Sequence, residues 1–164
     1  MDEALEVHVK ALCEEHGNTE TEEYVAACNI LGITHGVRGE VEESTAAMMI
    51  AKAKTEESGD TNTVNYAILT KNCGINELKL DHLDQAMGLF QEAKQRFEAC
   101  ERTRTHWYAE TLDRIGEVEW AQGHKESAVS WCRQGKAMYE VIDMVKCMGY
   151  KNMMQRLDDW GTQL

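Results

Sequence analysis

Cysteine and histidine are the residues of this chain that could carry chemistry, because thiolates and imidazoles bind metals and serve as nucleophile and base. The chain has six of each. Cys13 and His16 are three residues apart on a predicted helix and could share a metal ion. No second pair lies near them in the sequence and no C-x-x-C pair occurs, so we expect a solvated last helical turn, with no metal site.

A catalytic Cys–His pair would need one thiol held beside a fixed base. Five of the six cysteines fall on predicted apolar faces or helix ends, and the sequence identifies no base for them. Gly32, Gly36 and Gly39 follow helical spacing instead of the G-x-G-x-x-G pattern of a phosphate loop, and no Gly-Lys-Ser/Thr occurs. We therefore expect no enzyme activity, no cofactor and no small-molecule substrate.

The composition predicts a single, almost wholly helical domain. The chain has 164 residues, no proline and only 7% aromatic residues, so strand and turn signals are scarce. A net charge of −12 argues against nucleic acid or an anionic membrane as the main partner. No apolar run approaches the roughly 20 residues of a membrane span. We expect a cytoplasmic protein with reduced thiols and no membrane insertion.

Two rare residue types recur every 42 residues along the chain. Four of the five tyrosines have this spacing, and so do three glycines; they are Tyr24, Tyr66, Tyr108 and Tyr150, and Gly32, Gly74 and Gly116. A ladder of lysines, Lys52, Lys94 and Lys136, has the same interval, and we expect its stems to cover apolar surface. The predicted units are a half repeat at 1–20, repeats at 24–65, 66–107 and 108–149, and a closing helix at 150–164.

Each unit has the pattern of two amphipathic helices. From Tyr108 to Trp120, apolar or small residues fall at i, i+3 and i+4, which is helical spacing. Glycine inside a helix costs about 1 kcal/mol, so the recurring glycines predict close contact between paired helices. The predicted helices are 2–15, 21–37, 41–57, 62–78, 82–100, 104–122, 125–145 and 148–162.

The motif that carries these glycines resembles the tetratricopeptide repeat (TPR). It stands as Cys28-x-x-Leu31-Gly32 with Ser44-x-x-x-Met48-x-x-Ala51, Thr70-x-x-Cys73-Gly74 with Ala86-x-x-x-Phe90-x-x-Ala93, and Leu112-x-x-Ile115-Gly116 with Ala128-x-x-x-Cys132-x-x-Gly135. The eight residues beyond the usual 34 resemble kinesin light chain repeats. The chain departs from the family in carrying Glu56, Glu98 and Glu140 where a proline is usual. The resemblance implies an all-α, αα-hairpin solenoid of about eight helices, coiled as a right-handed superhelix.

The same resemblance implies that the first helix of each pair lines a concave groove that binds a protein or peptide. Its residues would be Ala26, Asn29, Ile30 and Ile33; Ile68, Lys71, Asn72, Ile75 and Leu78; Glu110, Asp113, Arg114, Glu117 and Trp120; and Asn152, Gln155, Arg156 and Asp159. This set divides into an apolar half and an acidic half. We expect the acids Glu110, Asp113 and Glu117 to face solvent and to select a peptide with apolar anchors and basic residues.

Two specialisations of the family fit poorly. Chaperone-binding members hold a C-terminal carboxylate with a Lys and Asn pair and a Lys and Arg pair, but here Ile75 and Glu110 stand at two of these places. Kinesin light chains bind acidic cargo motifs around a tryptophan, and these residues supply no basic groove. A binding module for a peptide with apolar and basic residues is the first hypothesis. The alternative is a structural spacer within a larger helical-repeat scaffold or cargo adaptor, with no ligand of its own in this region.

Overall fold

The computed structural model describes residues 22–161, together with Ala11, Glu14, Glu15 and Gly17. This part contains seven α-helices and no strand: α1 Glu22–Arg38, α2 Val41–Ser58, α3 Val64–Lys79, α4 Leu83–Ala99, α5 His106–Ala121, α6 Lys125–Val141 and α7 Met148–Gly161. Most of the predicted helix at 2–15, with Cys13 and His16, lies outside the described residues.

Left-handed backbone at recurring positions ends the helices. Within the hairpins it occurs at Gly39, Asp81 and Gly123, and between hairpins at Gly17, Gly59, Glu101 and Asp143, so both turns follow the 42-residue interval. The prediction that the helix beginning at residue 125 runs to residue 145 is wrong. Because Asp143 has φ of 56°, α6 already ends at Val141. Thr63 and Thr105 begin α3 and α5, since their hydroxyls accept from the amides of Tyr66 and Tyr108.

The helices pack as antiparallel pairs that stack in chain order. Pairs form between α1 and α2, α3 and α4, and α5 and α6, and the next first helix packs on the preceding second helix. First helices of neighbouring repeats also contact each other, α1 with α3 and α3 with α5. Fully buried side chains, such as Phe90, Phe97 and Ile115, fill the space between the packed helices. The predicted αα-hairpin solenoid is confirmed.

The recurring glycines lie where paired helices come closest. A methyl group at each position would be 2.4 to 2.7 Å from the nearest atom of the partner helix; these atoms belong to Met48 for Gly32, Phe90 for Gly74 and Cys132 for Gly116. At Gly116 it would also lie 2.9 Å from the Ala128 carbonyl oxygen. The expected close helix contact is therefore confirmed, and it explains why this position carries glycine inside a helix.

The tyrosine interval has a separate cause, which the sequence did not reveal. The hydroxyls of Tyr66, Tyr108 and Tyr150 donate to Glu56, Glu98 and Glu140 at 2.7, 2.8 and 3.2 Å, and Tyr24 donates to Glu14 at 3.0 Å. Each of the first three glutamates also pairs, at 2.5 to 2.8 Å, with a lysine four residues before it, namely Lys52, Lys94 and Lys136. We call these three groups the Lys–Glu–Tyr clamps. They join the second helix of one repeat to the first helix of the next.

Candidate functional site

The residues predicted to line the concave face lie on the first helices of the pairs. Their environments differ widely, because some of them are part of the core. Ile75 and Leu78 pack against the buried cluster of Ala86, Phe90, Ile115 and Val118, whereas Ile33 is 43% exposed. Of the predicted apolar half, only Ile33 therefore offers a large exposed side chain.

The predicted acidic half is a network of opposite charges. Lys71 Nζ lies 2.6 Å from Glu110 Oε2, Arg114 Nη1 lies 2.5 Å from Glu117 Oε2, and Arg156 Nη1 lies 2.6 Å from Asp113 Oδ1. Arg156 also donates to Glu117, and Cys132 Sγ lies 3.3 Å from Asp113 Oδ1. We call the three cations and three carboxylates the charged network. It connects α3, α5 and α7.

The expectation that these acids face solvent is corrected by this geometry. Asp113 is 4% exposed, and the side chains of Glu110 and Glu117 are 25% and 20% exposed. Burial by itself would raise the pKa of Glu110, but the ammonium of Lys71 and the guanidinium of Arg114 bring it below its usual range. A cationic ligand would have to displace Lys71, Arg114 or Arg156 to reach these carboxylates.

Trp120 is the last of the predicted groove residues on α5, and part of its indole ring is covered by another side chain. Its indole stacks on Trp160 of α7 with ring centroids 4.4 Å apart and planes 4° apart, and Lys125 Nζ lies 5.1 Å from its centroid. Such stacking is a stable aromatic arrangement. Trp120 therefore joins α5 to α7, the last of the described helices.

An open groove of about 950 Å³ lies between α1 and α3, over the end of α2. We call it the α1/α3 groove. Its apolar lining is Val25, Ala26, Ile30 and Leu69; Thr55 and Tyr66 lie beside these, and Glu22, Glu23 and Asp60 are exposed carboxylates at its edge. Of its residues, the sequence predicted Ala26, Asn29 and Ile30. The contributions of α2 and of the α2–α3 turn were missed, because the implied groove was built from first helices alone.

Asn29 gives the α1/α3 groove a polar group without a partner. Its Oδ1 is buried and accepts no hydrogen bond in the structure. A buried acceptor without a donor costs about 1 to 3 kcal/mol, and a turn of the Asn29 side chain towards a ligand N–H in the groove would recover that energy. Lys54 also lines the groove, but its ammonium pairs with Glu57 at 2.8 Å. The carboxylates at the edge thus favour a ligand that carries positive charge.

Comparison with known proteins agrees with this architecture. No family model matches the chain, and no curated protein matches it by sequence. Two crystal structures of a putative kinesin light chain with nearly identical TPR-like repeats, from Podosopora anserina, superpose with TM-scores of 0.77 and 0.75. Both are 13% identical to this chain, and the matches cover 96% of it and 74% and 75% of those chains. The chain has a TPR-like repeat fold.

A further match is the crystal structure of BtubC (BKLC) from P. vanneervenii, with a TM-score of 0.66 and 11% identity. It covers 87% of this chain, which spans 65% of the length of BtubC. Identities this low support the fold and leave the ligand to be inferred from the residues of this chain.

The described part of the TPR-like scaffold carries neither of two other kinds of site. Across residues 22–161 and the few described residues before them, no three His, Cys, Asp or Glu side chains are grouped to hold a metal ion. None of the helices in this part combines the length and apolar character needed to cross a membrane. The α1/α3 groove is taken as the candidate site because it combines an apolar lining with exposed carboxylates.

Proposed function

We propose that this protein is a non-enzymatic binding module that takes a peptide segment with apolar and basic residues. The observation that carries the proposal is the α1/α3 groove, which combines an apolar lining with exposed carboxylates. A bound segment would place an apolar side chain over Ala26 and Ile30 and a Lys or Arg side chain beside Glu22 or Asp60. The TPR-like fold supports a protein or peptide as partner.

The rest of the predicted site has a different part in this proposal. A segment that leaves the α1/α3 groove along the first helices would pass Asn29 and Ile33 and then meet the charged network. Because the network contains as many cations as carboxylates, it would contribute hydrogen bonds from its exposed edges more than net attraction. We therefore propose that Asn29 and Ile33 contact the segment, and that Lys71, Glu110, Asp113 and Glu117 chiefly hold α3, α5 and α7 in place. Ile75 and Leu78 support the face from the core side, and Trp120 supports α7.

The test is an affinity measurement with a matched pair of variants. Ala26 lines the groove, Ala46 lies on α2 away from it, and both are exposed alanines in helix interiors. Peptides enriched on the wild-type protein from a random 12-residue library serve as probes. Ala26→Arg should weaken their binding at least tenfold, because it fills the groove and adds positive charge. Ala46→Arg should change it less than twofold.

Three outcomes would contradict the proposal. The library could enrich no peptide, the enriched peptides could be acidic, or Ala26→Arg could bind them as the wild type does. In the second and third cases the binding surface would lie elsewhere. In the first case the spacer hypothesis would be favoured. Circular dichroism of both variants checks that the helices remain intact, so that a loss of binding reports on the groove.

A further inference from the structure

One repeat position shows why the α1/α3 groove is open. Thr55, Phe97 and Tyr139 are separated by 42 residues and occupy the same place near the end of α2, α4 and α6. Phe97 is fully buried and Tyr139 is 3% exposed. Thr55 is only partly buried and lines the groove. The second and third repeats therefore carry an aromatic ring at this position, and the first repeat, residues 24–65, lacks it.

The missing ring has a defined partner in the other two repeats. The rings of Phe97 and Tyr108 meet edge to face with centroids 6.3 Å apart and planes at 84°. Tyr139 and Tyr150 meet in the same way at 6.1 Å and 80°. The tyrosine at the matching position of the α1/α3 groove is Tyr66, which lines it together with Thr55. An edge-to-face ring pair contributes about 0.5 to 1.5 kcal/mol beyond the burial of its area.

We propose that the α1/α3 groove takes an aromatic side chain of a peptide, with a Lys or Arg beside it, and that this ring packs beside Tyr66 as Phe97 packs beside Tyr108. This inference rests on the proposed function and adds the identity of the anchor. The apolar lining of Val25, Ile30 and Leu69 suits the ring.

Two polar features of the groove determine which peptide groups lie next to the aromatic ring. A turn of the Asn29 side chain towards the groove presents its Oδ1 to a peptide N–H, and the hydrogen bond gives this buried atom the partner that it lacks. The carboxylates of Glu22, Glu23 and Asp60 attract the basic residue. An acidic segment is disfavoured by the same three groups. Residues 1–21 hold six acids and one base, so charge also opposes the chain's own first residues as the occupant.

The test fills the groove with the side chain that the other repeats carry. Thr55→Phe supplies the missing ring from within, and Thr55→Val keeps the size of threonine. A random 12-residue peptide library is enriched in parallel on the wild-type protein and on both variants. The wild type and Thr55→Val should enrich peptides with an aromatic residue and a Lys or Arg within three positions of it. Thr55→Phe should lose this preference and bind the wild-type set at least tenfold more weakly.

The control for folding is thermal unfolding. Thr55→Phe should melt no lower than the wild type, because phenylalanine is the residue of the second repeat at this position. Enriched peptides without an aromatic residue, or equal binding to Thr55→Phe and wild type, would overturn the aromatic anchor. If those peptides still lost binding to Ala26→Arg, the proposed function would stand without it. If no peptide were enriched on any form, both proposals would be wrong.

Discussion

The closeness of paired helices at Gly116 can be measured as a difference between two glycine-to-alanine substitutions. Gly88 lies inside α4, and a methyl group there would have no neighbouring atom within 4 Å, whereas a methyl group at Gly116 would lie 2.6 Å from Cys132 Sγ and 2.9 Å from the Ala128 carbonyl oxygen. Both substitutions gain the same helix propensity, about 1 kcal/mol. Only the methyl group of Gly116→Ala contacts the partner helix.

The expected magnitudes follow from those distances. Gly88→Ala should stabilise the protein by about 1 kcal/mol, because nothing opposes the propensity gain. At Gly116 the sulfur can shift, but the carbonyl oxygen belongs to the backbone of α6, so the two helices must separate. Overpacking of this kind costs about 1 to 3 kcal/mol, and the backbone contact favours the upper end. Gly116→Ala should then destabilise by about 2 kcal/mol, which is about 3 kcal/mol from Gly88→Ala.

Urea unfolding followed by helical circular dichroism measures both variants, with the slope compared to confirm that the unfolded states match. Gly116→Leu should be worse than Gly116→Ala, because it adds three more carbons to the same contact. If Gly116→Ala and Gly88→Ala shifted the unfolding free energy equally, within about 0.5 kcal/mol, α5 and α6 would not be in contact at this glycine and the account of the repeat would be refuted.

Three further predictions concern the ionic contacts. Tyr108→Phe should cost about 1 kcal/mol in urea unfolding, because Glu98 loses a donor at 2.8 Å; no cost would show that the clamp adds nothing. Arg156→Met should cost about 3 kcal/mol by removing the cation that pairs with the buried Asp113, whereas the exposed Arg133→Met should be near neutral, and equal losses would contradict the charged network. The pKa of Glu98 is lowered, since Lys94 and Tyr108 outweigh its burial, so this stabilisation is present above the unfolded pKa of about 4.5 and is lost at lower pH. A pH titration of the thermal midpoint should show a smaller acid-side drop for Glu98→Gln, and an unchanged profile would contradict it.

The basic end of the pH range gives an independent check. Burial, opposed by Lys52 and aided by Glu56 and Glu92, raises the pKa of Tyr66 to about 12. A group whose folded pKa is raised stabilises the fold below its unfolded pKa, about 10 for tyrosine, and that contribution is lost as the pH rises towards 12. Tyr66→Phe should flatten this loss in thermal midpoints measured between these pH values. A loss of the same size in the variant would place its origin elsewhere.

The architecture could be predicted because it depends on spacing along one chain. The 42-residue interval places Gly32, Gly74 and Gly116 at equivalent points, and a helix-interior glycine has a known cost that close packing explains. Helix ends were harder to place, because Asp143 adopts left-handed backbone without being glycine. The residue itself does not mark the helix end, but the glycines at the same repeat position, Gly17 and Gly59, were a usable signal for the turn.

The candidate site could be predicted only in part, because its properties depend on contacts between repeats. Lys71 and Glu110 are 39 residues apart, and Arg156 and Asp113 are 43 apart, so each pair lies close to one repeat interval. Opposite charges at neighbouring positions of successive first helices were therefore a usable signal for pairing. The three residues at the repeat position of Thr55 were a second signal, since the first repeat has a small residue there and the next two repeats have aromatic residues.

Peptide binding in the α1/α3 groove is tested most directly by locating a bound peptide on the protein. Methyl groups of isoleucine, leucine and valine would be labelled and followed by NMR as a peptide enriched on the wild-type protein is added. We expect the largest shift changes at Val25, Ile30 and Leu69, which line the α1/α3 groove, and none at the exposed Val141 on α6. Changes centred on Val141 and absent from these three residues would contradict it.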